Sequence, residues 1–382
     1  MRWIHTSDWH LGRLFFGESL TEEQAALLSE FVALAKERKP DVILLSGDVY
    51  DRSVPPADAV ELLDEVLAKL VLDCGIPVLM ISGNHDSGPR LAFGNRFFGK
   101  NRLHVCSSVA PGAVTMTDKW GPVNFSLIPY ADTASVRLAL GDESVTDADT
   151  AISLRLAQSR QVSIQGGRNV AMAHAFLTGG QCSESERPLS VGGTGAVSAR
   201  NFSGFQYVAM GHLHRPQQME AGRMAYSGSL MKYSFDEADH LKGVCCVDMD
   251  EGGNLRQEFM PLSPRRDVRG VEGVFQELMR GPQNGENPDD YLSVTLLDKA
   301  PVIQAIQRLR TLYPKTMEVN YRYQQEALQT TQGQRPDHRA LSGMELFESF
   351  TGWSTSKPLS ERQRAVMAPL LTETDEAGGI EG

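Results

Sequence analysis

Five short blocks in this sequence carry side chains of the types that hold divalent cations. They are Asp8-Trp9-His10, Gly47-Asp48, Gly83-Asn84-His85-Asp86, a lone His174, and Gly211-His212-Leu213-His214. Together they supply two aspartates, one asparagine and four histidines that could close a two-metal site, with His85 to spare beside it. Two divalent cations about 3.5–4 Å apart can share one bridging carboxylate and generate hydroxide from water near neutral pH. Imidazole and carboxylate together suit Mn²⁺, Fe²⁺ and Zn²⁺. No block contains cysteine, so a structural zinc site of the Cys₄ kind is not indicated. Asp-x-His and His-x-His set alternate residues on one side of an extended segment, so both can face one metal pair. Asp48 is the natural bridge. The blocks read as a binuclear hydrolase site.

Each block needs an element to position it, and the flanking residues supply one. Val42-Ile43-Leu44-Leu45 runs into Asp48, Pro77 to Ile81 into Asn84, Val170 to Ala173 into His174, and Tyr207 to Met210 into His212. Such short continuous apolar runs predict strands buried on both faces. Ligands just past their carboxyl ends occupy the place where open α/β sheets put their sites. Between the strands, Thr21-Glu22-Glu23-Gln24 predicts a capping box for a helix bearing Leu27, Leu28, Phe31, Val32 and Ala35, and Ala59 to Leu72 predicts a second helix. The glycines of the blocks read as strand-end turn residues that also let backbone approach the metals closely. Asp86 reads as a partner of the ligands or a turn former. His5, His104, His240 and His338 fit no motif and read as structural or exposed.

The order DxH, GDxxD, GNHD, H, GHxH resembles the calcineurin-like metallophosphoesterases. Longer stretches, "HTSDWHLGR", "LLSGDVYDR", "GNHDSGPRL", "SERPLSVGGTGAV", "YVAMGHLHRPQ" and "YSGSLMKYSF", resemble the SbcD-type nuclease subunits of bacterial SbcCD complexes. The resemblance covers about residues 1–250 and continues more loosely to about residue 370. It implies an α/β fold: a layered β-sandwich core flanked by helices, a small α/β capping domain and a C-terminal helical partner-binding segment. It implies one metal on Asp8, His10, Asp48 and His214, and another on Asp48, Asn84, His174 and His212, with Mn²⁺ the usual cation. His85 is then the catalytic residue that is not a ligand, stabilising phosphoryl oxygens or protonating the leaving oxygen, work that suits imidazole. Asp51 is implied to orient His85. Arg52 has two readings, a guanidinium on the scissile phosphate or a surface salt bridge near Asp51.

The same resemblance implies 3′-to-5′ exonuclease activity on duplex ends and endonuclease activity on single strands or hairpins. The setting would be DNA replication, repair and recombination, with an SbcC-type ATPase as partner and a homodimer of the nuclease subunit. No G-x-x-x-x-G-K-[ST] occurs, so ATP binding by this chain is not expected. Two rival classes stay open: a metal-dependent phosphatase, since "GDVYDR" is shared with protein phosphatases, and a noncatalytic scaffold for the ATPase.

Composition bounds these readings. A chain of 382 residues, 41% hydrophobic, predicts two or three domains with a sizeable core. Five scattered cysteines without a CxxC pair argue for a reducing compartment. No apolar run approaches membrane-span length, and no signal pattern opens the chain, so a cytoplasmic protein is expected. The net charge of −11 opposes simple DNA affinity. Against it, Ser87 to Arg102 carries four basic residues and no acid, with Phe93, Phe97 and Phe98 interleaved. There Arg90 and its neighbours face DNA, or the aromatics are core or a subunit contact.

The expected organisation is a nuclease domain over 1–260, a capping domain over 261–323, a linker over 324–341, a helical docking segment over 342–371 and an acidic tail over 372–382. Within the cap, Val268 to Met279, Tyr291 to Leu297, Pro301 to Leu312 and Met317 to Tyr323 predict a βαβαβ-like order around a Gly281–Asp290 loop. Ser342 to Glu345 and Ser360 to Gln363 predict capping boxes of a helical pair bearing Phe347, Phe350 and Trp353. That pair docks on a coiled coil of the ATPase or packs back on the cap.

Overall fold

The computed structural model describes residues 1–161, 163–187, 195–283, 285–324, 359–364, 366 and 367, with Met344, Phe347, Glu348 and Thr351. The helical pair, the linker and the acidic tail therefore lie largely outside the described residues, as do Phe350, Trp353 and His338.

Alternation of side chains explains the main layers. In the first six-stranded sheet the order is Leu255–Pro261, Gly243–Met249, Arg2–Thr6, Val42–Ser46, Val78–Ile81, Leu103–Cys106. The last four strands run parallel, and Gly243–Met249 is antiparallel to Arg2–Thr6. The second six-stranded sheet runs Gln217–Met219, Met224–Tyr226, Tyr207–Gly211, Arg168–His174, Gly121–Ile128, Gly112–Asp118. Trp3, Val42, Leu44, Leu79 and Ile81 of the first sheet pack with Phe125, Leu127, Val170, Met172 and Tyr207 of the second in one core. Their sequence neighbours Ile4, Ile43, Leu45 and Met80 point the other way, onto Leu27, Leu28 and Phe31. Period-two alternation thus gives each central strand two buried faces. The Val42–Ser46, Val78–Ile81 and Tyr207–Gly211 strands are buried throughout. A layered α/β sandwich results, in agreement with the sequence reading.

Helix ends depart from expectation. The first long helix spans Thr21–Arg38, but Leu20 occupies the cap position and no side chain caps it. The expected Thr21–Gln24 capping box does not form, because the Gln24 amide is drawn inward to the site loop. The second helix, Ala57–Ala68, widens into a π-turn over Lys69–Asp73. Phe93 and Phe97 are 83% and 77% exposed, and Phe98 is exposed as well. The reading of these rings as core is overturned, since the short Gly88–Leu91 and Asn95–Phe98 helices turn them to solvent. Cys245 and Cys246 point to opposite sides of their strand and are buried; all five cysteines are free thiols.

Beyond the sandwich, the parallel strands Val268–Gly273, Tyr291–Leu296 and Thr316–Tyr321 form a three-stranded sheet. Phe275, Leu292, Val294, Leu296 and Leu309 make its own small core. The helices between the strands are short, Phe275–Leu278 and Ala305–Leu309; the second starts well after Pro301, behind Gln304 at φ 53°. At the far end, Ser360 and Gln363 make the expected box: the Gln363 side chain accepts from the Ser360 N–H at 3.0 Å, and Ser360 Oγ accepts from the Gln363 N–H at 3.4 Å. Among the described residues no helix is long and apolar enough to cross a membrane.

Candidate metal centre

Residues from both sheets meet where the parallel strands end. Asp8 and His10 follow Arg2–Thr6, Asp48 follows Val42–Ser46, and Asn84 and His85 follow Val78–Ile81. His174 closes its strand in the second sheet, and His212 and His214 follow Tyr207–Gly211. Backbone bonds knit the loops together: Asp8 N–H donates to the Gly47 carbonyl and His10 N–H to the Asp48 carbonyl, each at 3.0 Å. Asp8, His10, Asp48 and His212 take positive φ of 53°, 46°, 47° and 110°. Such backbone costs about 1–3 kcal/mol per residue and persists only where its surroundings enforce it.

Two glycines are sterically required. Gly47, at φ 90°, would place a Cβ 2.3 Å from His174 Nδ1, and a Cβ on Gly83 would stand 2.1 Å from Asp48 Oδ1. Both readings of these residues hold at once, since they turn the chain and let the ligand-type side chains close in.

The expected side chains converge. His10 Nε2 and His214 Nε2 lie 3.0 Å apart. Asp48 Oδ2 sits 3.6 Å from His10 Nε2 and 3.5 Å from His174 Nε2, midway between the two halves as a bridging carboxylate would. Asn84 Oδ1 lies 2.9 Å from His174 Nε2, and the His212 ring stands edge-on to His174 with centroids 5.5 Å apart. Ligand atoms of Asp8, His10 and His214 fall within 4.8 Å of one another, as do those of Asp8, Asp48 and His174. Asp8 thus approaches both halves, and His212 enters neither group. A third group joins His10, Asp51 and His85.

His85 and Asp51 are paired differently from expectation. His85 Nδ1 donates to the Asp51 backbone carbonyl at 2.7 Å, while the Asp51 carboxylate faces Arg13 at 3.3 Å and His10 Nδ1 at 3.6 Å. The His85 ring is therefore oriented by main chain. Its Nε2 points into the cluster, 3.9 Å from Asp48 Oδ2. Asp86 accepts from the N–H groups of Val49, Tyr50 and Gly83 at 3.1, 2.9 and 2.8 Å, clamping the loops of Asp48 and Asn84 together. Arg52 is exposed and, among the described residues, bonds only the Gly12 carbonyl, at 3.4 Å; it makes no salt bridge with Asp51. Arg90 is exposed on the Gly88–Leu91 helix.

Several residues of the site had no strong sequence signal. Arg13 takes the place expected of Arg52: it pairs with Asp51, donates to the Ser185 carbonyl at 3.1 Å and lies 4.9 Å over the Tyr233 ring. The Gln24 amide donates to the Trp9 and His10 carbonyls at 3.0 and 2.8 Å and accepts from Gly12 N–H at 3.1 Å. Tyr233 Oη donates to the Trp9 carbonyl. Arg13, Ser185 and Tyr233 stand inside quoted motifs without a role assigned to them, whereas Gln24 was assigned to a helix cap.

The electrostatics bear on whether cations fit. Burial pushes the Asp8 carboxyl up to about 8, with the nearby Asp48 charge adding to it and His174 opposing. Burial also raises Asp48, yet His174, His10 and His85 together hold it well below the usual carboxylate range. His174 rises to about 9 against burial because Asp48 and Asp8 surround it. Burial drives His10 far down and His212 to about 3. Without cations the buried carboxylates are accommodated by protons, on Asp8 and on His174 beside Asp48, and divalent cations would supply that positive charge in their place. The converging imidazole nitrogens, the shared carboxylate oxygen and the absence of thiolate suit such ions. The cluster fits a dimetal site.

Known proteins place this geometry in a family. Residues 1–216 match the family model of calcineurin-like phosphoesterases. Residues 264–351 match the SbcD_C model, described as a type 5 capsule protein repressor C-terminal domain. Among solved structures, the TT1561 protein of Thermus thermophilus is 12% identical, with a TM-score of 0.39 over 68% of this chain and 98% of that one. A dimetal phosphatase from Danio rerio is 14% identical, with a TM-score of 0.38 over 65% of this chain and 92% of that one. The family matches agree with the ligand-type cluster at the strand ends, and on them the chain belongs to the calcineurin-like phosphoesterases, metal-dependent hydrolases, as an SbcD-type member.

Proposed function

We propose that this chain is a Mn²⁺-dependent DNA nuclease that acts with an SbcC-type ATPase in DNA end processing. Its activities would be 3′-to-5′ exonuclease on duplex ends and endonuclease on single strands and hairpins. The observation that carries this reading is the succession, in one chain, of a phosphoesterase match over 1–216 and an SbcD_C match over 264–351. Asp8, His10, Asp48 and His214 are the proposed holders of one cation, and Asp48, Asn84, His174 and His212 of the other. Bound there, the cations would supply Lewis acidity toward a phosphate and lower the pKa of water.

The protein's own part is positioning and proton handling. Because the Asp51 carbonyl holds Nδ1 of His85, Nε2 faces the cluster. As an imidazolium it can hand a proton to a departing 3′-oxygen or steady charge on the phosphoryl oxygens. Arg13, held at the rim by Asp51 and Ser185, is better placed than Arg52 to meet a phosphate with its guanidinium fork. The net charge of −11 is compatible with DNA work if the ATPase partner provides much of the grip. The exposed basic run containing Arg90, Arg96, Lys100 and Arg102 adds the chain's own share.

The test is an assay of the purified protein on a 3′-labelled duplex and a DNA hairpin, with and without Mn²⁺, beside His85→Ala. Mn²⁺-dependent cleavage lost in the variant is expected. Hydrolysis of a generic phosphomonoester with no DNA cleavage, even with the ATPase partner and ATP present, would turn the assignment to a phosphatase. DNA-end processing that survives in Asp48→Ala would favour a scaffold role.

A further inference from the structure

The two halves of the cluster are held by different means. On one side, His174 Nδ1 donates to the Ser46 backbone carbonyl at 3.0 Å, so the sheet itself orients that ring. On the other, the His214 ring is held by a side chain; of its backbone groups, the carbonyl accepts from the Ser229 N–H at 3.1 Å and the rest of the support comes from side chains. Ser185 Oγ lies 2.5 Å from His214 Nδ1, and Ser185 in turn donates to the Glu237 carboxylate. The Lys242 ammonium reaches the other Glu237 oxygen at 2.5 Å, the His214 carbonyl at 2.6 Å and Ser229 Oγ at 2.8 Å. Glu186 accepts the His214 backbone N–H at 2.6 Å. Ser185, Glu237 and Lys242 are all buried. A buried Glu–Lys pair is a weak source of net stability, so its presence directly behind one histidine points to another use.

We infer that Glu237, Ser185 and Lys242 form a relay that positions His214 for cation binding. Glu237 takes the Ser185 hydroxyl proton as an acceptor. That leaves the Ser185 oxygen to accept from His214 Nδ1–H, which keeps the lone pair on Nε2, the atom 3.0 Å from His10 Nε2. Lys242 neutralises the carboxylate and pins the His214 backbone. Ser185 and Glu237 are positioning residues, because neither faces the cluster directly. Partners of this kind fix the tautomer of ligating histidines and raise their basicity. The inference rests on the two-cation reading given above, and it predicts an asymmetry within that reading: the His214 ring is oriented by removable side chains, the His174 ring by main chain.

Mn²⁺ titration of the full chain, followed by EPR and calorimetry, tests it on the wild type, Ser185→Ala, Ser185→Thr and Glu237→Gln. A Glu237→Gln/Lys242→Met pair guards against an uncompensated lysine charge. The wild type should bind two ions. Ser185→Ala and the Glu237 variants should keep one at wild-type affinity and weaken the other about 10–100-fold. Ser185→Thr, which restores the hydroxyl, should recover both, and melting in chelator should be unchanged in Ser185→Ala. Two ions bound by Ser185→Ala at wild-type affinities would overturn the relay and leave the two-cation reading standing. A wild-type chain that binds fewer than two ions would overturn both.

Discussion

The sandwich and the three-stranded module that follows it use the same building rule for different ends. Both place parallel strands over a buried apolar layer. In the sandwich the strand ends carry Asp, Asn and His that meet at one point, and their loops are locked by main-chain bonds. In the module no cluster of metal-binding type occurs among the described residues. It has its own core around Phe275, Leu292 and Leu309, yet Val268, Tyr291 and Met317 join the larger core of the sandwich. The remaining links are rings and charges: Phe15 stands edge-on to Tyr291, Lys315 pairs with Glu18, and Arg265 and Arg266 pair with the buried Glu23. Chemistry therefore resides where backbone is over-determined, and the module attaches through a shared apolar patch plus charged contacts that salt and single substitutions can loosen.

Substitutions separate the two regions by the size of their effects. Asp48→Ala removes the carboxylate shared by both halves and should reduce phosphoester hydrolysis on the order of 10³-fold or more in steady-state assays. Retention of activity within about tenfold would end its assignment as the bridge. Phe125→Ala cuts into the layer between the sheets, where Phe125 packs edge-on against Trp3. Denaturant titration should show a loss of about 3–5 kcal/mol. A loss below about 1 kcal/mol would mean that the sandwich does not unfold as a unit.

Acid sensitivity probes the same core without touching the candidate metal residues. Buried His5 bonds Tyr207 Oη and the Met210 carbonyl, each at 3.0 Å, and burial lowers it to about 3. The unfolded chain takes a proton near pH 6.5 while the folded chain does not. Stability is therefore full above pH 6.5 and falls as the pH drops from there toward 3. Melts in chelator at about pH 7 and about pH 5 should show this, and His5→Asn should flatten the dependence. An unchanged pH slope in that variant would assign the acid sensitivity to other groups such as His212. The smallest effect belongs to the module's attachment. Lys315→Ala breaks a partly exposed pair and should cost about 0.2–1 kcal/mol, less at high salt. A larger loss would mean that this contact organises the short antiparallel pair Leu14–Phe15 and Glu18–Ser19.

How much was legible in advance follows from the kind of constraint. Cation chemistry restricts residue types, so Asp8, His10, Asp48, Asn84, His174, His212 and His214 stood out by type and by position after apolar runs, and the structure brings them together. Arg13, Gln24 and Tyr233 did not, because a polar side chain that bonds to backbone is not told by its type which group it will meet, even inside a motif. Asp51 meets His85 not through the carboxylate that drew attention to it but through its carbonyl, a group that every residue has. Phe93, Phe97 and Phe98 were left open between a DNA-facing stretch and core or a subunit contact, because aromatic content alone does not say which way a short helix faces.

Sequence by itself determined the layered α/β class, the strand ends on which the site sits and the chemistry of its donors. Each of these depends on local residue type and on periodicity of about two or 3.6 residues. Tertiary structure alone decided which partners hold those donors in place. Ser185 reaches His214 across 29 positions and Glu237 across 52, and Gln24 meets Tyr233 across 209. Contacts of that range arise only when two sheets pack, since no local rule couples residues so far apart in the chain.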